Sequence, residues 1–202
     1  MIKTDLFVCA VISRAATVKK HRDGSDFLSF DVKLPVTGRN GEQKDLEINV
    51  AVSGSKGQAS VFALGRRVNL MGVMTVRRYN DKTYFNLLAD TAELANSKED
   101  DRIEGTIDFM GKISKKGIEE RTDKKGNAYK TFAGFSANHN NDKVEFVWVS
   151  FLYFNPKEGE DFLQPNSYVE VKGDLKLGVF RDAISIDCLV NEVAPWEPQK
   201  KQ

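Results

Sequence analysis

Residues 144–154 read VEFVWVSFLYF, the densest run of β-branched and aromatic side chains in the chain. Such a run reads as a central β-strand, because these side chains fit a pleated surface. A period of two sends Phe146, Trp148, Ser150, Leu152 and Phe154 to one face and Val147, Val149, Phe151 and Tyr153 to the other. Both faces are apolar. A core accounts for one of them, and rings on the opposite side require a second covering layer or a ligand with flat faces.

Outward from this strand the second half of the chain falls into order. IEGTIDFMGKIS is a strand, residues 115–125 are basic and polar, Gly126 marks a turn, and AYKTFAGFSA leads into VEFVWVSFLYF. After a connection with Pro156 and Pro165, YVEVKGDLKLGVFRDAISIDCLV supplies two more strands. The first half runs the same way. LFVCAVIS is followed by a polar stretch with Lys19, Lys20, His21 and Arg22, a turn at Asp23 and Gly24, and FLSFDVKL, with Leu28, Phe30, Val32 and Leu34 on its apolar side. LEINVAV turns Leu46, Ile48, Val50 and Val52 to the core. Residues 59–64 suit one or two helical turns, and VNLMGVMTVRRYNDKTYFNLL makes two strands around Asn80 and Asp81.

The halves read as one unit used twice, with two unrelated β domains of similar length as the alternative. Val8 matches Phe109, Gly72 matches Gly173, Met74 matches Leu175, Tyr79 matches Phe180 and Asp81 matches Asp182, all 101 positions apart. Gly24 with Gly126, Phe27 with Tyr129 and Phe30 with Phe132 differ by 102, one inserted residue. The units expected are 1–97 and 103–196, joined by the polar stretch around 98–102. Five strands with a short link between the third and fourth is the order of the OB-fold, so the class is all-β with two tandem five-stranded Greek-key barrels. A glycine inside the fourth strand, Gly72 or Gly173, suits the bend of a small barrel. A β-sandwich is the alternative architecture.

Composition narrows the function. Hydrophobic content of 41% and charged content of 29% are those of a folded globular chain. No apolar run reaches the roughly 20 residues of a membrane span, and the N-terminal MIKTDLFVCAVIS lacks a small-residue cleavage pattern. A cytoplasmic protein is expected. Cys9 and Cys188 lie in apolar strands and read as reduced, buried hydrophobes. His21 and His139 have no ligating neighbours, so neither a metal nor another cofactor is expected. Net charge is +1, with a slight basic excess in the first half and a slight acidic one in the second. A polyanion would therefore be held by local charge and stacking rather than by a basic body.

The binding candidates follow from those limits. Phe146 and Trp148 stand on the non-core side of their strand, where unpaired bases stack for about 1–3 kcal/mol each; cover by the other barrel or by a dimer partner is the other reading. Phe180 beside Arg181 offers a ring and a phosphate contact, and Tyr79 after Arg77 and Arg78 is its first-unit counterpart; both rings also suit barrel caps. Tyr129 and Phe27 open their second strands. Lysines 115, 116, 124, 125 and 130 edge the second unit's first loop, interleaved with Glu119, Glu120 and Asp123, and such clusters are most often solvated loops.

Several of these residues carry a family likeness. The second unit, over about 103–192, resembles bacterial single-stranded DNA-binding protein, on the strength of GNAYKTFAGFSA, of residues 145–149 with Trp148 at a stacking position, and of YVEVKGDLKLGVF ending in Phe180. Residues 6–95 resemble it more loosely, through KGQASVFALGRRVNLMGVMTVRRY. The resemblance implies an OB-fold, single-stranded DNA as ligand in replication, recombination or repair, and a homodimer that brings four barrels together. Two departures stand out. The first unit presents Glu47, Asn49 and Ala51 where the second presents Phe146, Trp148 and Ser150, and WEPQKKQ does not match the family's acidic tail, so recruitment through such a tail is not expected. Largely sequence-independent binding of single-stranded DNA is the leading expectation, with RNA left open. An OB-fold structural or protein-interaction module of a replication, conjugation or phage assembly is the alternative. No nucleophile elbow, phosphate loop or histidine cluster supports an enzyme.

Overall fold

Alternating runs along nearly the whole chain become strands. The computed structural model describes residues 1–140, 143–157 and 159–198. In order they form β1 (Ile2–Lys20), β2 (Asp26–Thr37), β3 (Gln43–Ser53), α1 (Lys56–Ala59), β4 (Arg67–Tyr79) and β5 (Lys82–Leu94). The series continues with β6 (Arg102–Thr122), β7 (Ala128–Asn140), β8 (Lys143–Phe154), β9 (Tyr168–Phe180) and β10 (Ala183–Pro195).

The pairing closes each set of five. β2 lies antiparallel to β1 and β3, β5 is parallel to β3 and antiparallel to β4, and β4 returns antiparallel to β1. β6 to β10 repeat the circuit, with β10 parallel to β8 and β9 returning to β6. These are two OB-fold barrels. A sandwich would lack the parallel β3–β5 and β8–β10 ladders that join its layers here into closed rings, and closure leaves few edges unpaired.

Alternation and burial agree. Leu28, Phe30, Val32 and Leu34 of β2 are buried, as are Leu46, Ile48 and Val50 of β3. In the second barrel Val147, Val149, Phe151 and Tyr153 point inward, and the Phe151 ring packs against Phe109 at 4.9 Å and Phe132 at 4.7 Å. Cys9 and Cys188 are buried free thiols, and desolvation pushes the Cys188 thiol up to about 12. The strand-four glycines mark close approaches: a Cβ on Gly72 would collide with the Leu88 carbonyl oxygen, and one on Gly173 with that of Leu189. Each sits beside a register shift in its ladder, where the extra residue bends the strand.

Two local expectations shift. The helical turn covers Lys56–Ala59 rather than 59–64, because the Ser55 amide donates to Gln58 Oε1 at 2.9 Å and starts the turn early. Phe62 then leaves the helix and stacks on Phe30 at 5.1 Å, closing the barrel end. The polar stretches after LFVCAVIS and IEGTIDFMGKIS are not loops. They extend β1 and β6 into arms paired only with β2 and β7; of their few apolar residues Ala16, Val18 and Ile118 are partly buried against the core, and the charged residues around them obscure the alternation.

The barrels are joined edge to edge. The first half of β1 pairs antiparallel with the first half of β6, from Ile2 opposite Phe109 to Cys9 opposite Arg102. Asp5 and Thr106, equivalent in the repeat, face each other, so a pseudo-two-fold axis passes through that pair. Gly105 permits the contact, since a Cβ there would strike the Asp5 carbonyl oxygen. A second bridge forms on the far side: Lys44 Nζ lies 2.9 Å from Asp182, and Arg39 Nη2 lies 3.7 Å from Asp187.

Candidate nucleic-acid interface

The β7–β8 register builds the interface. Phe135 stands opposite Trp148 and Tyr129 opposite Phe154, all on the outer pleat. The Phe135 ring lies 5.0 Å from Trp148 and 5.0 Å from Phe146, and Tyr129 lies 5.3 Å from Phe154. Phe146 remains 42% exposed and Trp148 49%, so the first barrel does not cover them. Between the two ring sets Thr131, Ala133, Ser150 and Leu152 keep the floor low. Six residues of strand separate Trp148 from Phe154, about 20 Å at the usual rise.

Phe180 forms the opposite wall. It ends β9 at a two-residue hairpin whose Arg181 and Asp182 both take positive φ, 49° and 58°. That geometry matches the right-handed twist of paired strands and favours Asn, Asp or Gly. Arginine is a costly choice there. The Arg181 guanidinium lies 5.1 Å from the Phe180 ring centre, and the ring is 63% exposed. A groove of about 840 Å³ separates this hairpin from Phe146 and Trp148, with Arg39 and Arg78 of the first barrel on its wall. A neighbouring groove of about 570 Å³ reaches Tyr129 and Phe154. The two share Arg39, Ala133, Ser150 and Asp187 and form one cleft.

Other expected residues are dispersed. Lys124 and Lys125 are exposed at the β6–β7 turn, where Asp123 accepts from the amides of Lys125 and Asn127. Asn127 bonding holds the Asp123 carboxyl below its ordinary range. Lys130 occupies the same pleat as Phe132 and is directed to the barrel side, away from the Tyr129 face. Arg121 is the cation beside Tyr129, as its cross-strand partner, and its Nη2 also pairs with Glu119 at 2.5 Å. Tyr79 is 49% exposed before its own Asn80–Asp81 turn; of that group only Arg78 lines the cleft, while Arg77 does not. Phe27 packs 4.4 Å from His21 on the first arm and takes no part in the cleft.

The matching face of the first barrel is already satisfied. Arg14 grips Asp31 with two bonds of 2.6 and 2.7 Å, and Asn49 donates to the same carboxylate at 2.7 Å. The Arg14 bond holds the Asp31 carboxyl below its ordinary range. Phe27, the counterpart of Tyr129, shares this face but packs on His21, and the carboxylates repel phosphate.

Phe135, Phe154, Arg121 and Arg39 complete the cleft without having been named as binding candidates in the sequence, although alternation had put Phe154 on the Trp148 face. For the first three the signal was present: alternation from Tyr129 reaches Phe135, alternation from Phe146 reaches Phe154, and alternation through 119–121 reaches Arg121. Arg39 carries no local signal, because it belongs to the cleft only through the packing of one barrel on the other.

Fold and cleft together define a tandem OB-fold protein with ring platforms on one barrel. No protein-family model matches the chain, and no curated protein matches it by sequence. Among solved structures it is similar to the wild-type single-stranded DNA binding protein from Thermus aquaticus, at 12% identity and a TM-score of 0.50, covering 98% of this chain and 95% of that one. That likeness bears out the OB-fold expectation. A deletion mutant of the single-stranded DNA binding protein from the same organism gives 13% identity, a TM-score of 0.49 and coverage of 98% and 96%. A small single-stranded DNA-binding protein from Streptomyces coelicolor gives 11% and 0.38, with 46% of this chain and 95% of that chain covered.

Proposed function

We propose that the chain binds single-stranded DNA in the cleft of the second barrel, largely independently of sequence, in replication, recombination or repair. The observation that carries this reading is the pair of ring platforms, Phe135, Phe146 and Trp148 at one end and Tyr129 and Phe154 at the other. They stand on a sheet whose core side is already filled. Exposed rings in such numbers mark a surface that a partner covers, and bases suit it because any base presents a π-face. Arg39, Arg78, Arg121 and Arg181 supply phosphate contacts around the rim. The Thermus aquaticus protein of the same fold is a single-stranded DNA binding protein, which supports the reading.

Units 1–97 and 103–196 are proposed as the folding units, the first acting mainly as a scaffold that brings Arg39 and Arg78 to the cleft. A homodimer carrying four barrels is proposed on the resemblance, and sedimentation at twice 22.7 kDa is its test. A protein-interaction role is the second reading, favoured by the self-paired polar face around Asp31. Titration of labelled oligo(dT) at two salt concentrations separates them. Binding that quenches Trp148 and weakens as salt rises supports the cleft; no binding at low salt would sink it. Competition by an RNA of the same length decides whether the ligand is confined to DNA.

A further inference from the structure

A carboxylate lies where a phosphate-binding cleft should have none. Asp187 of β10 stands beside Ser150 of β8 in the parallel ladder, on the floor between the two ring platforms. Its side chain is only 25% exposed. Its cation contact is loose: Arg39 comes from the other barrel, is 88% exposed, and approaches no nearer than 3.7 Å. Lys176, its cross-strand neighbour on β9, forms no ion pair with it among the described residues. Burial holds the Asp187 carboxyl above its ordinary range, against the pull of Arg39 and the Ser150 hydroxyl. Among the described residues Arg39 is the one cation that approaches it, at a distance too long for a hydrogen bond.

The arrangement of charge sets how a strand would lie. Arg78, Arg121 and Arg181 stand at the rim, interleaved with Glu42, Glu119 and Asp123, while the floor holds the half-buried Asp187 carboxylate and the Ser150 hydroxyl with no cation other than Arg39 beside them among the described residues. A phosphate is repelled from the floor and drawn to the rim, so the bases turn inward and meet Asp187 with their edges. A carboxylate accepts from an exocyclic amino group, as aspartate does from cytosine N4. Thymine offers a single ring N–H flanked by two carbonyl oxygens, which face the carboxylate unfavourably.

We propose that Asp187 forms a base-reading subsite in the middle of the cleft, selecting an amino-bearing base, cytosine in the simplest case, over thymine at that one position. The inference rests on the cleft reading above. The rings remain indifferent to base, and the preference is confined to the single nucleotide over Ser150 and Asp187. Arg39, displaced from its loose contact, is then free to take a phosphate.

The test compares equal-length labelled oligo(dC) and oligo(dT) by anisotropy on the intact protein, the wild type beside Asp187→Asn, Asp187→Ala and Arg39→Ala. Because the two oligonucleotides differ in their own stacking, the readout is the change in the dC/dT affinity ratio between variants. Asp187→Ala lowers that ratio about tenfold, mostly by strengthening oligo(dT), and Arg39→Ala weakens both ligands alike. Asp187→Asn, of the same size and still an acceptor through one oxygen, lowers the ratio by less and serves where the alanine variant does not fold. A ratio unchanged by both Asp187 substitutions overturns the subsite and leaves the cleft standing. Failure of the wild type to bind either oligonucleotide overturns both.

Discussion

Trp148 and Arg181 show two ways a single residue is committed to the cleft. Trp148 is half exposed and packs mainly on Phe135, so truncation removes a stacking platform without opening the core. Trp148→Ala is expected to weaken oligonucleotide binding by about 1–3 kcal/mol and to leave the thermal midpoint nearly unchanged, as anisotropy and melting curves would show. Arg181 holds a left-handed backbone that costs a side-chain-bearing residue roughly 1–2 kcal/mol. Arg181→Gly is therefore expected to raise the melting temperature while weakening binding at low salt; a fall in both would refute the assignment of strain. Asp31 serves stability instead. Its carboxyl is held low by Arg14, so its contribution is present above the unfolded value of about 3.9 and is lost as pH falls through the lower folded value. Asp31→Ala should destabilise by about 1 kcal/mol near neutrality, the half-exposed Arg14 limiting the effect. As pH falls through that lowered value the difference should shrink, measured by urea denaturation across pH.

At the scale of elements, the strand-four glycines decide whether each barrel closes. Gly72 and Gly173 bring β4 and β9 against the backbones of β5 and β10 at points where no Cβ fits. Gly72→Val or Gly173→Val forces the ladder apart at its bend and should cost about 1–3 kcal/mol or more, read from the urea midpoint. The requirement was legible in the sequence as a glycine repeated at one spacing inside an apolar strand. The arms of β1 and β6 were not, since only Ala16, Val18 and Ile118 are apolar positions packed on the core there and charged residues dominate the rest. Lys130 illustrates the limit from another side: a lysine beside a tyrosine in sequence occupies the opposite pleat, so adjacency in the chain argues against a shared face within a strand.

For the whole molecule the β1–β6 ladder matters most. It is built from backbone bonds and buries Leu6, Ile107 and Phe109 around the joint. A protease nick between residues 96 and 101 is therefore expected to leave the halves associated, two bands on a denaturing gel in one gel-filtration peak. Elution of separate halves would refute a joint held by the ladder. Binding should also depend only shallowly on salt. The rim cations share the cleft with Glu42, Glu119, Asp123 and Asp187, so few net charges are neutralised per strand, and each neutralised phosphate contributes a slope of about 0.7 for single strands.

The sequence by itself determined that the chain is all-β, that one five-stranded unit is used twice, and that Phe146 and Trp148 stand on the side of their strand away from the core. Each of these is a local property, carried by period-two alternation, by the spacing of turn residues and by a repeat interval. What only the tertiary structure decided is how the parts meet: that β1 lies along β6, that Phe135 reaches both Phe146 and Trp148, and that Arg39 of one barrel hangs over Asp187 of the other. Those contacts depend on register between strands far apart in the chain, and no residue's immediate neighbours encode such a register.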